Sequence, residues 1–483
     1  MTGLVTPADP VPLEELGKVH FAGIGGAGMS GIAKIMLARG TQVSGSDSAA
    51  SGVLDELAGL GAKVHAGHAA DNLGDADTLV VSSAIRDDNP ELAEARRRGL
   101  RVVHRSSALA AVMHGRRVIA VTGTHGKTST TSMIATALLH AGAEPGYAIG
   151  GTLAAAGTNA ADGGGTAFVA EADESDGSFL NYAPDVAVVT NIEADHLDNY
   201  GTPEAYQASF GKFIRRIVPG GLLVTCADDP GTAALAETAR GLGLRVRTYG
   251  ESADADYRVT GISVTGMETA FTVTGGEDPF GSTGVEVTVG VPGRHNALNA
   301  AAAFAVVAEL GTAPAVAAAG LRAYRGAARR MEPKGEAGGV RVLDTYAHHP
   351  TELAADLRAA RDLAGPGPGQ DGGRVIAVFQ PHLYSRTRIF AAEFGASLGL
   401  ADIAVVLDVY AAREDPEPGV TGKLVADAVP DDGAPETRAR YVPSMADAPG
   451  VVASVARPGD VVLTMGAGDV TRLGPQILAE LAR

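Results

Sequence analysis

The stretch "VTGTHGKTSTT", Val121 to Thr131, decides how the rest of the chain is read. It follows an apolar run and precedes "SMIATALLHAG", so it lies at a strand-to-helix turn. The spacing Gly123-x-x-Gly126-Lys127-Thr128 is shorter than the common GxxxxGK[ST] form, but the physics is the same. Backbone N–H groups and the helix dipole attract phosphate oxygens. Lys127 would neutralise terminal phosphate charge, and Thr128 or Ser129 would face a divalent cation. Gly123, Thr124, His125, Gly126, Lys127, Thr128 and Ser129 are therefore the expected phosphate cradle.

Downstream, two more apolar runs end in acidic loops. "TAFVAEADESDGSF" places Glu171, Asp173, Glu174 and Asp176 after one strand, and "VAVVTNIEADHLDNYG" places Glu193, Asp195, His196 and Asp198 after the next. Either loop alone reads as a solvated acidic turn. Three strands emptying polar chemistry at one end is the pattern of a parallel sheet that binds ligand at its carboxyl edge. Hard oxygens with one imidazole suit Mg²⁺, and Thr128, Glu171 and His196 are the expected metal contacts. His196 is cast as a ligand rather than a base because its neighbours are acidic.

Upstream, "HFAGIGGAGMSGIAKIMLARG" is strand, glycine turn and helix, with Gly23-x-Gly25-x-x-Gly28 as a dinucleotide-type fingerprint. Asp47 in "VSGSD" follows the second strand, where an acid often meets a ribose. By itself this motif suggests NAD, or merely tight strand–helix packing.

At 483 residues, the chain is long enough for about three domains. A net charge of −17 argues against nucleic-acid or acidic-membrane partners. The lone Cys226 excludes an internal disulfide, and with no signal-peptide pattern at the N-terminus a cytoplasmic protein is expected. No apolar run is long enough for membrane insertion. Strands are expected at "KVHFAGI", "TQVSGSD", "TLVVSSA", "RVIAVTG", "TAFVAEA", "VAVVTNI", "GLLVTCA", "VRVLDTY", "RVIAVFQ", "IAVVLDV" and "DVVLTMG". Between Asp254 and Gly290, Val and Thr alternate with polar residues, as a small antiparallel sheet would. "AGPGPGQDGG" reads as a flexible surface excursion.

"HFAGIGGAGMSGIA", "GTHGKTSTT", "EADESDGSF", "NIEADHLDNYG" and "GRHNALNA", in that order and spanning nearly the whole chain, resemble the Mur ligase family. The resemblance implies an α/β chain of three domains. Residues 1–115 would be a Rossmann-like domain that holds a UDP-sugar. Residues 116–325 would be a P-loop ATPase-like domain that holds ATP and includes the small antiparallel sheet. Residues 326–483 would be a second Rossmann-like domain that binds the amino acid and closes over ATP. Within the family, the first and third stretches point to joining L-alanine to the lactyl carboxylate of UDP-N-acetylmuramate, with Mg²⁺ and ATP. An acyl phosphate would form, and ADP and phosphate would leave, in peptidoglycan precursor synthesis. A recycling ligase that adds a tripeptide to the same UDP-sugar and a folate polyglutamate ligase without a UDP-binding domain are the competing activities. A monomer or weak homodimer is expected.

The same resemblance implies residue roles. Gly23, Gly25, Gly26, Gly28, Met29, Ser30, Asp47, His68 and Ser83 would hold the UDP-sugar. His295 and Asn299, four apart on one helical face, would contact adenine, and Asp344 would meet ATP. Arginine suits carboxylate and phosphate through its planar fork, so "YRGAARRMEPKGE" and "QPHLYSRTRIF" read as anion binders in an acidic chain. Arg329 would join Lys127, Glu171 and His196 in catalysis, and Tyr346, His348 and Arg386 would bind the amino-acid carboxylate. Two positions depart from the family pattern: Thr345 stands where Asp is usual, and Leu383 where Arg is common. Sister ligases carry a carbamylated lysine near the position of Phe210, a role not given to Lys212.

Overall fold

The computed structural model describes residues 4–275, 284–365, 372–412, 414–430 and 439–483, so most of the "AGPGPGQDGG" stretch lies outside the described residues. Among them three sheets form. The first holds β1 (Val19–Ala22), β2 (Val43–Asp47), β3 (Lys63–Ala66), β4 (Thr78–Val81) and β5 (Arg101–His104), parallel and in the order β3-β2-β1-β4-β5. β1 is buried along its whole length, as a central strand covered on both faces must be. Strand order reverses there, so the glycine turn after β1 opens at a switch point.

The second sheet holds β6 (Arg117–Thr122), β7 (Gly146–Leu153), β8 (Thr158–Ala161), β9 (Ala167–Glu171), β10 (Val186–Val189), β11 (Leu222–Cys226), β12 (Arg245–Gly250), β13 (Tyr257–Thr265), β14 (Glu268–Gly275) and β15 (Val285–Val289). Its order is β15-β14-β13-β12-β11-β10-β6-β9-β7-β8. β6 runs parallel between β9 and β10, which places the phosphate loop beside both acidic loops. The alternating Val/Thr segment supplies β13 to β15. These do not stand as a sheet of their own: β13 pairs in parallel with β12 through Tyr249 and Gly250 and extends the central sheet.

The third sheet holds β16 (Glu332–Ala337), β17 (Val340–Thr345), β18 (Val375–Phe379), β19 (Ile403–Val406), β20 (Arg440–Tyr441) and β21 (Val461–Met465), ordered β16-β17-β21-β18-β19-β20. Only β16 is antiparallel to its neighbour. Every apolar run expected to form a strand does so. β3, β5, β7, β8, β12, β16 and β20 were not expected; all but β7 and β12 lie at a sheet edge, where half the strand meets solvent and apolar runs are not required, while β7 and β12 are interior strands whose apolar runs are broken by glycines or arginines.

The chain divides into two compact units. One comprises Met1–Thr260, Thr272–Val287 and Leu298–Tyr324; the other comprises Gly261–Phe271, Thr288–Ala297 and Arg325–Arg483. In the first unit, Phe21, Ile32 and Met36 from the first layer share one buried cluster with Phe168, Phe179, Phe210 and Phe213 from the second. Close approach is needed: a Cβ on Gly31 would stand 3.0 Å from the Ala160 methyl, and Asn159 Nδ2 donates to Ala27 O at 2.8 Å. Asp162 ties the layers together electrostatically. It accepts Arg39 Nε at 3.0 Å and Arg116 Nη2 at 3.0 Å, while Arg39 Nη1 reaches Val112 O. Among the described residues no helix is long and apolar enough to cross a membrane.

Asp162→Ala leaves two partly buried guanidinium groups facing each other. It should lower the stability of this unit by about 2–4 kcal/mol, read as a lower denaturant midpoint, whereas Asp9→Ala at an exposed pair should change it by less than about 0.5 kcal/mol.

Candidate active site

The phosphate loop is shaped by two glycines that nothing larger can replace. Gly123 sits at φ 128°, and a Cβ there would lie 2.2 Å from Thr190 Oγ1; Gly126 sits at φ 79°, and a Cβ there would lie 2.4 Å from Asn299 Oδ1. The loop is pinned to the end of β10. His125 N donates to Asn191 Oδ1 at 2.8 Å, Thr124 N to Asn191 O at 3.1 Å, and Thr124 Oγ1 to Glu193 O at 3.1 Å. Thr128 and Ser129 are buried in the first turn of the helix Lys127–His140, whose N-terminus has no side-chain cap. Asn299 accepts from Thr130 Oγ1 at 3.3 Å, next to this turn.

Lys127 Nζ donates to Gly123 O at 2.7 Å, Thr124 O at 3.1 Å and Glu174 Oε1 at 2.9 Å. Burial works against its charge, but Glu174 and Asp173 more than offset this and raise its pKa. Glu174 is fully buried and also faces His196 Nε2 at 3.5 Å, Thr122 Oγ1 at 3.4 Å and Tyr206 Oη at 3.5 Å. It was one of four acids named in its loop, with nothing in the sequence to mark it as the partner of Lys127. Glu171 accepts from Thr128 Oγ1 at 3.1 Å and from Gly150 N at 2.7 Å. The expected metal contacts thus fall into two neighbouring groups: Thr128 with Glu171, and His196 with Glu174 and Asp195 Oδ2 at 3.5 Å. Phe210 is wholly buried against Phe179 and Tyr206.

The remaining acids of the same loop turn toward the glycine cradle. Asp173 accepts from Arg105 Nη2 at 2.6 Å, and Asp176 takes the Ser83 hydroxyl and faces His104 Nε2 at 3.6 Å. Burial opposes ionisation of Asp173, yet Arg105 and Lys127 hold its carboxyl well below the usual carboxylate range. Arg105 also lies against the first turn of Ala27–Ala38, since a Cβ on Gly28 would be 3.4 Å from its Nη1. Nothing in the sequence marked Arg105, which follows the unexpected edge strand β5. Gly25 N donates to Asp47 Oδ2 at 2.9 Å, so Asp47 braces the glycine turn as well as standing where a ribose acid is expected. Met29 and Ser30 are buried in the following helix, and His68 contacts Ser46 Oγ at 2.8 Å.

In the second unit, Asp344 is fully buried and accepts from Thr464 Oγ1 at 2.6 Å and Thr471 Oγ1 at 2.7 Å. Arg329, at φ 58°, faces Asp344 at 3.5 Å and donates to Gly466 O at 2.5 Å and Gly468 O at 3.1 Å, so it braces the glycine turn after β21. Its guanidinium carbon lies 4.7 Å from the Tyr346 ring centre. The His348 ring meets Tyr346 edge-on, and Arg386 is buried in the first turns of Tyr384–Leu398. Thr345 donates to Asp356 Oδ2 at 2.5 Å, and His295 Nε2 stands 3.4 Å from the other oxygen. Burial lowers the His295 pKa and raises that of Asp356. Leu383 is buried at φ 70° and cannot supply a charge.

One pH dependence follows from His104. Burial, opposed by Asp176, moves its pKa from 6.5 to about 4. The unfolded chain therefore binds the proton first, and stability present above pH 6.5 is lost as pH falls toward about 4. The loss should approach about 3 kcal/mol, and His104→Asn should flatten the pH dependence of the denaturation midpoint in that window.

The chain is similar to known proteins along most of its length. The Mur ligase family catalytic domain matches residues 18–117, the Mur ligase middle domain residues 121–307, and the Mur ligase glutamate ligase domain residues 329–468. A UDP-N-acetylmuramate–L-alanine ligase of Kineococcus radiotolerans is 58% identical over 97% of this chain and 97% of its own. Its counterpart in Thermobifida fusca is 56% identical over 99% of both chains. The crystal structure of the Thermotoga maritima UDP-N-acetylmuramate–alanine ligase aligns with a TM-score of 0.78 at 30% identity, covering 96% of this chain and 98% of that one. The murein peptide ligase of Psychrobacter arcticus aligns with a TM-score of 0.68 at 25% identity, covering 96% and 99%. With three-domain α/β architecture and matches along its whole length, the chain belongs to the Mur ligase family.

Proposed function

We propose that the protein joins L-alanine to the lactyl carboxylate of UDP-N-acetylmuramate with consumption of ATP, a step of peptidoglycan precursor synthesis. The observation that carries the reading is the loop Glu171–Asp176. Within one compact unit its Glu171 and Glu174 engage the phosphate loop, and its Asp173 and Asp176 engage the glycine cradle. One loop thus couples a nucleotide site to a second anion site. The relatives' shared name supports the acceptor. The structural match to an alanine ligase, at TM-score 0.78, exceeds that to a peptide ligase, at 0.68, which favours L-alanine over a tripeptide.

A carboxylate is a poor electrophile, so the substrate acid would first take the γ-phosphoryl group of ATP. The amine of alanine would then attack the acyl phosphate and expel phosphate. Lys127, kept charged by Glu174, would offset charge on the transferring group. Thr128 Oγ1 and Glu171 Oε1, 3.1 Å apart, are hard oxygen donors that fit Mg²⁺, with His196 as an imidazole ligand. Bound there, Mg²⁺ would supply positive charge to the phosphate oxygens. His295 and Asn299 are assigned to adenine. Tyr346, His348 and Arg386 are assigned to the amino-acid carboxylate, and Arg329 to holding the Gly466–Gly468 turn beside them. The division at residues 115 and 325 and a cytoplasmic location stay part of this proposal. The latter rests on the single buried Cys226, whose thiol burial pushes up to about 11.

Phosphate release should require ATP, UDP-N-acetylmuramate and L-alanine together. Release with a tripeptide instead of alanine would move the assignment to the recycling reaction. Chelation of divalent metal should stop turnover and added Mg²⁺ restore it. Lys127→Ala should lower kcat by about a thousandfold; activity within tenfold of wild type would remove the lysine from the mechanism.

A further inference from the structure

Beneath the glycine cradle lies a carboxylate that the proposed reaction does not use. Glu91, second residue of the helix Pro90–Arg98, is fully buried. Its Oε2 accepts from Ser46 Oγ at 2.6 Å, and its Oε1 accepts from Asn72 Nδ2 at 2.8 Å and Ala69 N at 3.3 Å. His20 Nε2 and His68 Nδ1 each lie 3.5 Å from Oε2. Burial opposes its charge, but the nearby His20 ring and hydrogen bonds from Ser46 and Asn72 outweigh this and bring its pKa to about 2.

The groups it holds belong to the cradle. Ser46 is the penultimate residue of β2, and its carbonyl accepts from Gly23 N at 2.8 Å and Ile24 N at 2.9 Å. Ala69 and Asn72 shape the loop that carries His68. The proton inventory then settles the histidine. An ionised carboxylate only accepts, so the single Ser46 hydroxyl proton points to Glu91. The Ser46 oxygen, 2.8 Å from His68 Nδ1, must therefore accept, and Nδ1 carries the proton. In the neutral ring, Nε2 is left as an acceptor, on a side chain that is 22% exposed.

We infer that Glu91, acting through Ser46, fixes His68 as a hydrogen-bond acceptor for the nucleoside half of the sugar nucleotide, and so selects a ligand that offers a donor there. This rests on the UDP-sugar reading of the first sheet. His68 follows β3, next to the β2 end where a ribose acid is expected, so the nucleoside is the part within reach. Two donors have the required chemistry: a ribose hydroxyl and the uracil imide N–H.

The test is calorimetric titration of the full chain with UDP, which needs no turnover. Glu91→Gln must set an amide N–H₂ against either Ser46 or the Asn72 and Ala69 donors, and should weaken UDP binding about tenfold. In a His68→Ala background the same substitution should cost nothing further, because its effect runs through that ring. Ser46→Ala gives a second reading of the relay if Glu91→Gln does not fold. Titrating 2′-deoxy-UDP, 3′-deoxy-UDP and CDP identifies the donor as the analogue for which His68→Ala carries no penalty. Unchanged UDP affinity, an equal loss in both backgrounds, or a His68→Ala penalty with all three analogues would overturn the inference. A wild type that binds UDP but releases no phosphate would sink the proposed reaction while leaving this test standing.

Discussion

The site depends on one buried ion pair. Glu174 is removed from water, and its charge is sustained by the Lys127 ammonium with support from Thr122, Tyr206 and His196. Removing one partner of such a pair strands the other and costs about 3–5 kcal/mol. The lysine also ties together the carbonyls of Gly123 and Thr124, so the pair fixes the backbone of the phosphate loop as well as the cation. A cradle held in this way has its charges in place before phosphate arrives, which is where electrostatic stabilisation is most effective.

The acidic loop explains how that cradle is coupled to the neighbouring sheet. Glu171 and Glu174 are three residues apart and turn one way; Asp173 and Asp176 have the same spacing and turn the other. Arg105 and Ser83 meet the second pair, and the shared apolar cluster beneath keeps both layers in register. A displacement of this loop would therefore be felt at both ligand sites.

Much of this was legible in the sequence, because strands covered on both faces must be apolar and turns that approach phosphate must be glycine. β1, β6, β9 and β10 are of the first kind, Gly123 and Gly126 of the second. Edge strands such as β3 and β8 were not, since their exposed faces tolerate polar residues. Nor was the choice among four acids in one loop, or the importance of Arg105, Glu91 and Asp356. Those last three residues matter through hydrogen-bond partners 11 to 68 positions away, and no local pattern encodes such a meeting. The alternating segment after β12 was read correctly as strands but not as a continuation of the central sheet, because alternation reports a half-exposed strand and says nothing of its neighbour.

Leu383 restricts what this position of the chain can hold. Its side chain is packed away from water on a backbone turned to φ 70°, and its N–H is committed to Tyr410 O. An arginine there would bring a guanidinium into a position closed to water. A charge could be accommodated at this position only if the surrounding side chains were exchanged along with it.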